Sequence, residues 1–253
     1  MSKPLLPLFC FAHAGASASA YLRWRRRVPS WLDVTPIELA GHGRRGSEPL
    51  ETTMDGVVAK LGALFARGFA QPFALFGHSF GALVAYEVAL RLERLHGVSP
   101  LVVFASGAHA PSFDRSERVA QTDDALRDEM RALSGTPEAV LADPQLMELV
   151  LPVLRADYEA AARYRRGPDA KLRCPIHAVI GREDAVDADA ARAWADHTRG
   201  AFALSALPGG HFYLREHEDE LLALLTERLA HLHARATHAT WPQVAMAGAE
   251  DVG

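Results

Sequence analysis

The chain has 253 residues, 49% of them hydrophobic, and carries 27 basic against 31 acidic side chains for a net charge of −4. That length suits one α/β domain with a large core and a small insertion, and the near-balance of charge argues against a nucleic-acid or membrane-surface partner. Two cysteines, Cys10 and Cys174, are too few for a disulfide framework or a metal-ligand set, so they read as buried thiols in a reducing compartment.

Met1-Ser2-Lys3-Pro4 runs straight into a short apolar strand, without the basic and long apolar regions of a secretory leader. Nothing approaches membrane-spanning length, and a cytoplasmic location is the expectation. Residues 5–12 read as a strand, followed by the small-residue loop His13-Ala14-Gly15-Ala16-Ser17. Residues 18–28 read as a helix, with Tyr21, Leu22 and Trp24 apolar and Arg23, Arg25, Arg26 and Arg27 basic. Such a run is a solvated face or, on a sharper reading, a docking patch for an acidic partner. A strand over 34–39, a glycine-rich loop over 40–46 and a helix over 54–65, capped by Thr52 or Thr53, come next.

The stretch that organises the rest is an apolar run over 73–76 entering Gly77-His78-Ser79-Phe80-Gly81, with a helix over 82–95 leaving it. Strand, sharp turn and helix form the context of a nucleophile elbow, in which a serine sits on strained backbone between glycines. The bland alternative is an ordinary glycine-rich loop between strand and helix. In the elbow reading Ser79 is the nucleophile, and the Phe80 amide at the helix start can face a developing oxyanion. A second donor is expected from the loop after an early strand, and Ala14 is the candidate through its main-chain amide.

Residues 101–105 form a β-branched, apolar strand, and from 112 to about 166 only helical patterns occur, at 123–133, near 137–141 and at 144–164. Pro152 is expected to start a second helix or mark a kink. These residues read as a lid over the site. Strands over 174–180 and 201–207, a helix over 188–197 between them and a closing helix over 215–233 complete the pattern. The expected architecture is an α/β-hydrolase fold, mostly parallel, with helices on both faces. Its core is 1–111 and 171–233, its lid 112–170, and 234–253 is a disordered tail.

The order Ser79, an acid after a late strand, then a histidine after the last strand is that of α/β-hydrolases. Among twelve histidines only His211, in Pro208-Gly209-Gly210-His211-Phe212, combines a flexible loop with the right position. His231, His233 and His238 are expected at solvent, His96 and His197 near helix ends, and His177 inside a strand. His78 is expected to pack or touch substrate, and His13 to be structural. Glu183, Asp184, Asp187 and Asp189 compete for the acid, with Asp184 preferred and Asp187 the fallback. In this scheme His211 deprotonates Ser79, Asp184 fixes the imidazole tautomer, and an acyl-enzyme forms and is hydrolysed.

Several segments carry a closer likeness: residues 9–16, the Glu38-Leu39-Ala40-Gly41-His42-Gly43-Arg44 loop, the elbow, Leu154-Arg155-Ala156-Asp157-Tyr158, and Gly209-Gly210-His211-Phe212. In this order, over about residues 5–230, the chain resembles the type II thioesterases, free-standing hydrolases of polyketide and nonribosomal peptide assembly lines. The resemblance implies an acyl thioester on the phosphopantetheine arm of a carrier protein as substrate, an editing role, and Ser79, Asp184 and His211 as the triad. No cofactor or metal is implied beyond the arm that the substrate brings, and a monomer is expected. The family usually has methionine in place of Phe80, proline in place of Ala12 and often Ala40, and glycine in place of Ala16. The backbone donors survive these changes, which bear on acyl-chain preference and the channel mouth. A general carboxylesterase or lipase, and an inactive hydrolase-fold binding module, are the competing readings.

Overall fold

The computed structural model describes residues 5–62, 71–116, 122–133, 136 and 138–236. Six strands, β1 (Leu6–Phe11), β2 (Leu32–Ile37), β3 (Ala74–His78), β4 (Val103–Ser106), β5 (Ile176–Gly181) and β6 (Phe202–Leu207), form one sheet in the order β2-β1-β3-β4-β5-β6. Every neighbouring pair is parallel. This is the expected α/β architecture. β3, β4 and β5 are buried at every position, as required of strands covered on both faces.

Helices α1 (Met54–Ala59) and α2 (Phe80–His96) pack on one face with Val57, Leu83 and Val88 in the core. On the other face Tyr21, Trp24, Leu221, Leu225 and Leu229 close a second core. Between β4 and β5 lie α3 (Asp123–Ala132), α4 (Glu138–Leu141) and α5 (Pro144–Ala162), which form a small core of their own around Leu126, Leu151 and Tyr158. After β5 and β6 come α6 (Ala188–Arg192), α7 (Tyr213–Glu216) and α8 (Glu218–Ala236). Among the described residues no helix is long and apolar enough to cross a membrane. Both cysteines are buried and free.

The β1 connection runs to β2 on one side, whereas β3 leads to β4 on the other. The carboxyl ends of β1 and β3 therefore flank the crevice where the strand order reverses, the usual place for a site in an open α/β sheet. The loop at 13–17 and Ser79 both sit there.

Several local expectations are corrected. Residues 18–28 are not an α-helix; Ala18–Arg26 is a 3-10 helix in which Ala18, Tyr21 and Trp24 are buried while Leu22 is half exposed. Every third residue faces the core, which is the eclipsed spacing of a 3-10 helix, and Tyr21 and Trp24 meet the Phe76 ring at 5.7 and 5.1 Å. A 3-10 turn, Gly43–Arg45, interrupts the loop at 40–46. Thr53 caps α1, its hydroxyl accepting from the Gly56 amide at 3.2 Å; α1 ends at Ala59, and residues 63–65 of the longer helix expected here lie outside the described residues.

Pro152 does not start a second helix, one of the two outcomes expected for it: α5 runs through it from a start where Asp143 caps the amides of Gln145 and Leu146. The expected helix at 188–197 is α6 followed by a 3-10 helix, Ala193–His197, and the closing helix is split into α7 and α8. α8 reaches Ala236, so the tail expected from 234 begins inside its last turn and otherwise lies outside the described residues. His233 is buried, not solvent-facing, and stacks on Trp31 with the rings 8° from parallel.

The arginine run is largely occupied within the chain. Arg23 reaches Glu218 at 2.5 Å, Arg27 pairs with Glu218 and Asp219 at the amino end of α8, and Arg25 donates to the Val34 carbonyl at 2.9 Å. Acidic groups at a helix start and basic groups across from them satisfy both the helix dipole and each other. All four remain exposed, and among the described residues Arg23 and Arg27 are the two whose charges meet carboxylates, which halves the expected patch to Arg25 and Arg26.

Candidate active site

Ser79 has φ +54° and ψ −117°, and among the described residues it is the one non-glycine at positive φ. Strain of this kind costs on the order of 1–3 kcal/mol and persists only where surroundings enforce it. Here the Ser79 amide donates to the Ser106 carbonyl on β4 at 2.8 Å, and the Ser79 carbonyl accepts from Ala82 at 3.0 Å. A Cβ at Gly77 would collide with the Gly81 carbonyl, and one at Gly81 with the Phe11 carbonyl at the end of β1. The turn is therefore as tight as backbone atoms allow, and α2 begins directly after the serine.

The loops after β5 and β6 are stitched together by backbone bonds from Arg182 to Leu207 (2.8 Å) and from Glu183 to Gly209 (3.1 Å). This brings His211 to Asp184: the ring Nδ1 lies 3.0 Å from Oδ2 and 3.2 Å from Oδ1 of a carboxylate that is 1% exposed. Asp184 Oδ1 also accepts from the Val186 amide at 3.3 Å. With its Nδ1 proton directed to the carboxylate, the neutral ring keeps its lone pair on Nε2. The fallback Asp187 is engaged elsewhere, as the cap of α6, where it accepts from Ala190 at 2.8 Å. Asp189 pairs with Arg192.

Ser79 and His211 line two adjoining cavities. The larger, about 320 Å³, is walled by Ala14, Gly15, Leu133, Val150 and Leu154 among others, and the smaller, about 110 Å³, by Phe80, Gly107, Phe113 and Val186. Ala14 lines the larger cavity and Phe80 the smaller, and their amides donate to no protein acceptor among the described residues. The expected lid helices supply one wall of each. Among the described residues no group of three or more His, Cys, Asp or Glu side chains could hold a metal ion.

Beneath His211 lies His78, its ring centroid 4.9 Å away. It is fully buried, with Nδ1 at 2.9 Å from the Ser106 hydroxyl, which in turn meets the Tyr213 hydroxyl at 2.5 Å. His78 is thus a packing residue, one of the two roles expected for it. Burial, followed by the nearby His211, His13 and Arg215, drives its pKa well below the ordinary imidazole value. His13 is likewise pushed down to about 3 by burial, then by Arg215 and His211.

These rings make the fold sensitive to acid. His13 and His177, the latter lowered to about 4 by burial and Arg228, stay neutral when folded but bind protons in the unfolded chain below about pH 6.5. Because the unfolded state binds more protons, stability falls as pH drops, by roughly 1 kcal/mol per pH unit for each such ring. Urea unfolding at pH 7.5 and 5.0 should differ by at least 2 kcal/mol on the same scale. His177→Gln, remote from Ser79, should shrink that difference; a flat profile in the parent protein would contradict the assignment.

Sequence reasoning gave no individual role to two buried residues that meet at the turn after β1. Asp157 of α5 is buried and accepts at Oδ2 from the Gly15 amide (2.8 Å) and from His42 Nε2 (2.9 Å). His42 Nδ1 donates to the Ala40 carbonyl at 2.9 Å. Burial opposes charge on His42, but the hydrogen bond and charge of Asp157, the Ala40 carbonyl and Glu38 outweigh it and raise its pKa. Both segments carrying these residues resembled a family, yet no local pattern connects them.

Comparison with known proteins gives a consistent answer. The family model of the thioesterase domain matches residues 6–229. The chain is 40% identical over 228 residues to thioesterase PikA5 of Streptomyces venezuelae, covering 88% of this chain and 80% of that one. It is 34% identical over 227 residues to the gramicidin S biosynthesis protein GrsT of Aneurinibacillus migulanus, with coverage of 88% and 89%. Among solved structures, the type II thioesterase BorB from the borrelidin biosynthetic cluster superposes with a TM-score of 0.79 at 38% identity, over 90% of this chain and 94% of that one. The RedJ thioesterase from the prodiginine pathway of Streptomyces coelicolor does so at 0.81 and 36%, over 89% and 93%. On these grounds the chain belongs to the thioesterase family, and within it to the type II enzymes.

Proposed function

We propose that this thioesterase hydrolyses acyl groups held as thioesters on the phosphopantetheine arm of a carrier protein, with Ser79 as nucleophile, His211 as general base and Asp184 as its orienting acid. The observation that carries the reading is the His211–Asp184 hydrogen bond beside a serine held at positive φ on the wall of the same cavity. The Ser79 hydroxyl adds to the thioester carbonyl as His211 Nε2 takes its proton, and the amides of Ala14 and Phe80 receive the oxyanion. Collapse breaks the C–S bond, and the imidazolium returns the proton to the departing thiolate. Water, deprotonated by the same ring, then releases the acid and restores Ser79.

A thioester suits a site without elaborate leaving-group assistance, since its carbonyl is less resonance-stabilised than an ester's and thiolate departs readily. Selectivity then rests on recognition of the carrier and its arm. The apolar wall contributed by Met130, Leu133, Val150 and Leu154 supports an acyl group on the larger cavity's side. An editing role, clearing stalled or misloaded acyl units in the cytoplasm, is supported by relatives named for antibiotic biosynthesis and by the two free thiols.

The test is kcat/KM for one acyl group presented on a carrier protein, on a small thiol and on an alcohol. The carrier-borne thioester should be favoured by at least about tenfold, equivalent to 1.4 kcal/mol of transition-state binding. Ser79→Ala should abolish both turnover and fluorophosphonate labelling. Equal rates on all three would instead mark a general carboxylesterase, and an unlabelled Ser79 a binding module.

A further inference from the structure

The loop that carries Ala14 is a turn closed by the Ala16 amide on the His13 carbonyl at 3.1 Å. Gly15, at its third position, has φ +74°, while Ala14 is not at positive φ. That combination is the signature of a type II turn, which differs from the common type I by a flip of the central peptide, here Ala14–Gly15. The N–H of that peptide is the one that Asp157 holds at 2.8 Å. The helix bearing Asp157 also leans on the turn directly: a Cβ at Gly15 would lie 3.2 Å from Leu154 Cδ1.

We propose that Asp157 is a positioning residue for the reaction: it locks the turn so that the Ala14 amide faces the oxyanion, with buried His42 as its counter-charge. The proposal rests on the reading of Ala14 as an oxyanion donor. A planar peptide moves as a unit, so fixing the Gly15 N–H fixes the Ala14 carbonyl and removes the alternative turn. The Ala14 N–H belongs to the preceding peptide, whose carbonyl, on His13, is already pinned by Ala16. Together the two bonds restrain both peptide planes on either side of the Ala14 Cα. A donor aligned before the reaction begins is worth far more than one that must reorient.

Asp157 can hold this place because its charge is compensated. Both ring nitrogens of His42 face acceptors, the Ala40 carbonyl and Asp157 itself, an arrangement met by the protonated ring. Three segments meet at one carboxylate: the turn after β1, the loop after β2 and helix α5. Docking of α5, which walls the cavity, and completion of the oxyanion hole are thereby one event. Loss of contact between α5 and the core would leave the site with its nucleophile and base but with a disordered donor.

The distinguishing measurement is a pair of affinities. An acyl trifluoromethyl ketone adds to Ser79 and places an oxyanion in the hole; an acyl-pantetheine amide binds without forming one. For Asp157→Ala the inhibition constant of the ketone should rise tenfold or more, while the dissociation constant of the amide stays within threefold. Asp157→Asn, which keeps an acceptor for Gly15, should recover most of the loss. If Asp157→Ala does not fold, His42→Asn, which strips the counter-charge, should give a smaller change of the same sign. Equal weakening of both probes, or of neither, overturns the proposal. Turnover by Ser79→Ala would sink the underlying reading of the site instead, whatever the probe ratio.

Discussion

Asp184→Asn is expected to lower kcat by about 10⁴-fold, the penalty that follows in serine proteases when the histidine is left in the wrong tautomer. An asparagine amide facing His211 Nδ1 donates where the carboxylate accepted, so the ring proton moves to Nε2 and the lone pair that should receive the Ser79 proton is lost. The fold should survive, because Asn is nearly isosteric and its carbonyl can still accept from Val186, as Asp184 Oδ1 does at 3.3 Å. Asp187→Asn is the matched control. Asparagine caps a helix about as well as aspartate, so stability should change by well under about 1 kcal/mol and kcat by less than twofold. Turnover of an acyl-carrier substrate and a thermal melt suffice to compare the pair. A damaging Asp187→Asn beside a silent Asp184→Asn would reverse the assignment of the acid.

The largest effect on stability is expected at the elbow. A methyl group at Gly77 would run into the backbone of Gly81, and one at Gly81 into the carbonyls of Phe11 and Ala12. Backbone cannot swing aside as a flexible side chain can, so Gly77→Ala should cost upward of about 4 kcal/mol, in the range reserved for severe overpacking, and can abolish folding outright. Gly97→Ala separates steric collision from conformational strain. Gly97 ends α2 at φ +67°, but a Cβ there meets nothing within 4 Å, so only the left-handed penalty of about 1–2 kcal/mol applies. Urea denaturation of the two variants should rank them far apart. A Gly77→Ala protein with a near-native midpoint would mean that the strand, serine and helix are not held as closely as described here.

The elbow was legible because its determinants are local: an apolar run, two glycines around a serine, and a helical period immediately after. The same holds for the Ser79, Asp184, His211 order and for a threonine cap at 52 or 53, where residue type and spacing carry the meaning, whereas Asp187, read as a second candidate acid, is a helix cap in the structure. The 3-10 helix at 18–26 was misread even though its signal was present. Ala18, Tyr21 and Trp24 recur every three residues, but Leu22 and the arginines at 23, 25, 26 and 27 imitate an amphipathic α-helix. The ion pairs of the arginine run were illegible for another reason. Its partners, Glu218 and Asp219, lie at the start of the closing helix, nearly two hundred positions away.

Short-range patterning was therefore enough to establish a parallel α/β core, a strained serine and the loops that bear Asp184 and His211. Hydrophobic period and turn chemistry act over a few residues and are readable without coordinates. Which carboxylate actually meets an imidazole, which charges neutralise each other, and that Asp157 reaches Gly15 across 142 positions depend on how separate elements pack. Such contacts are made by chain segments that share no local pattern, so no inspection of either segment alone discloses them. The strained serine was written locally, but the surroundings that would make it reactive exist only in three dimensions.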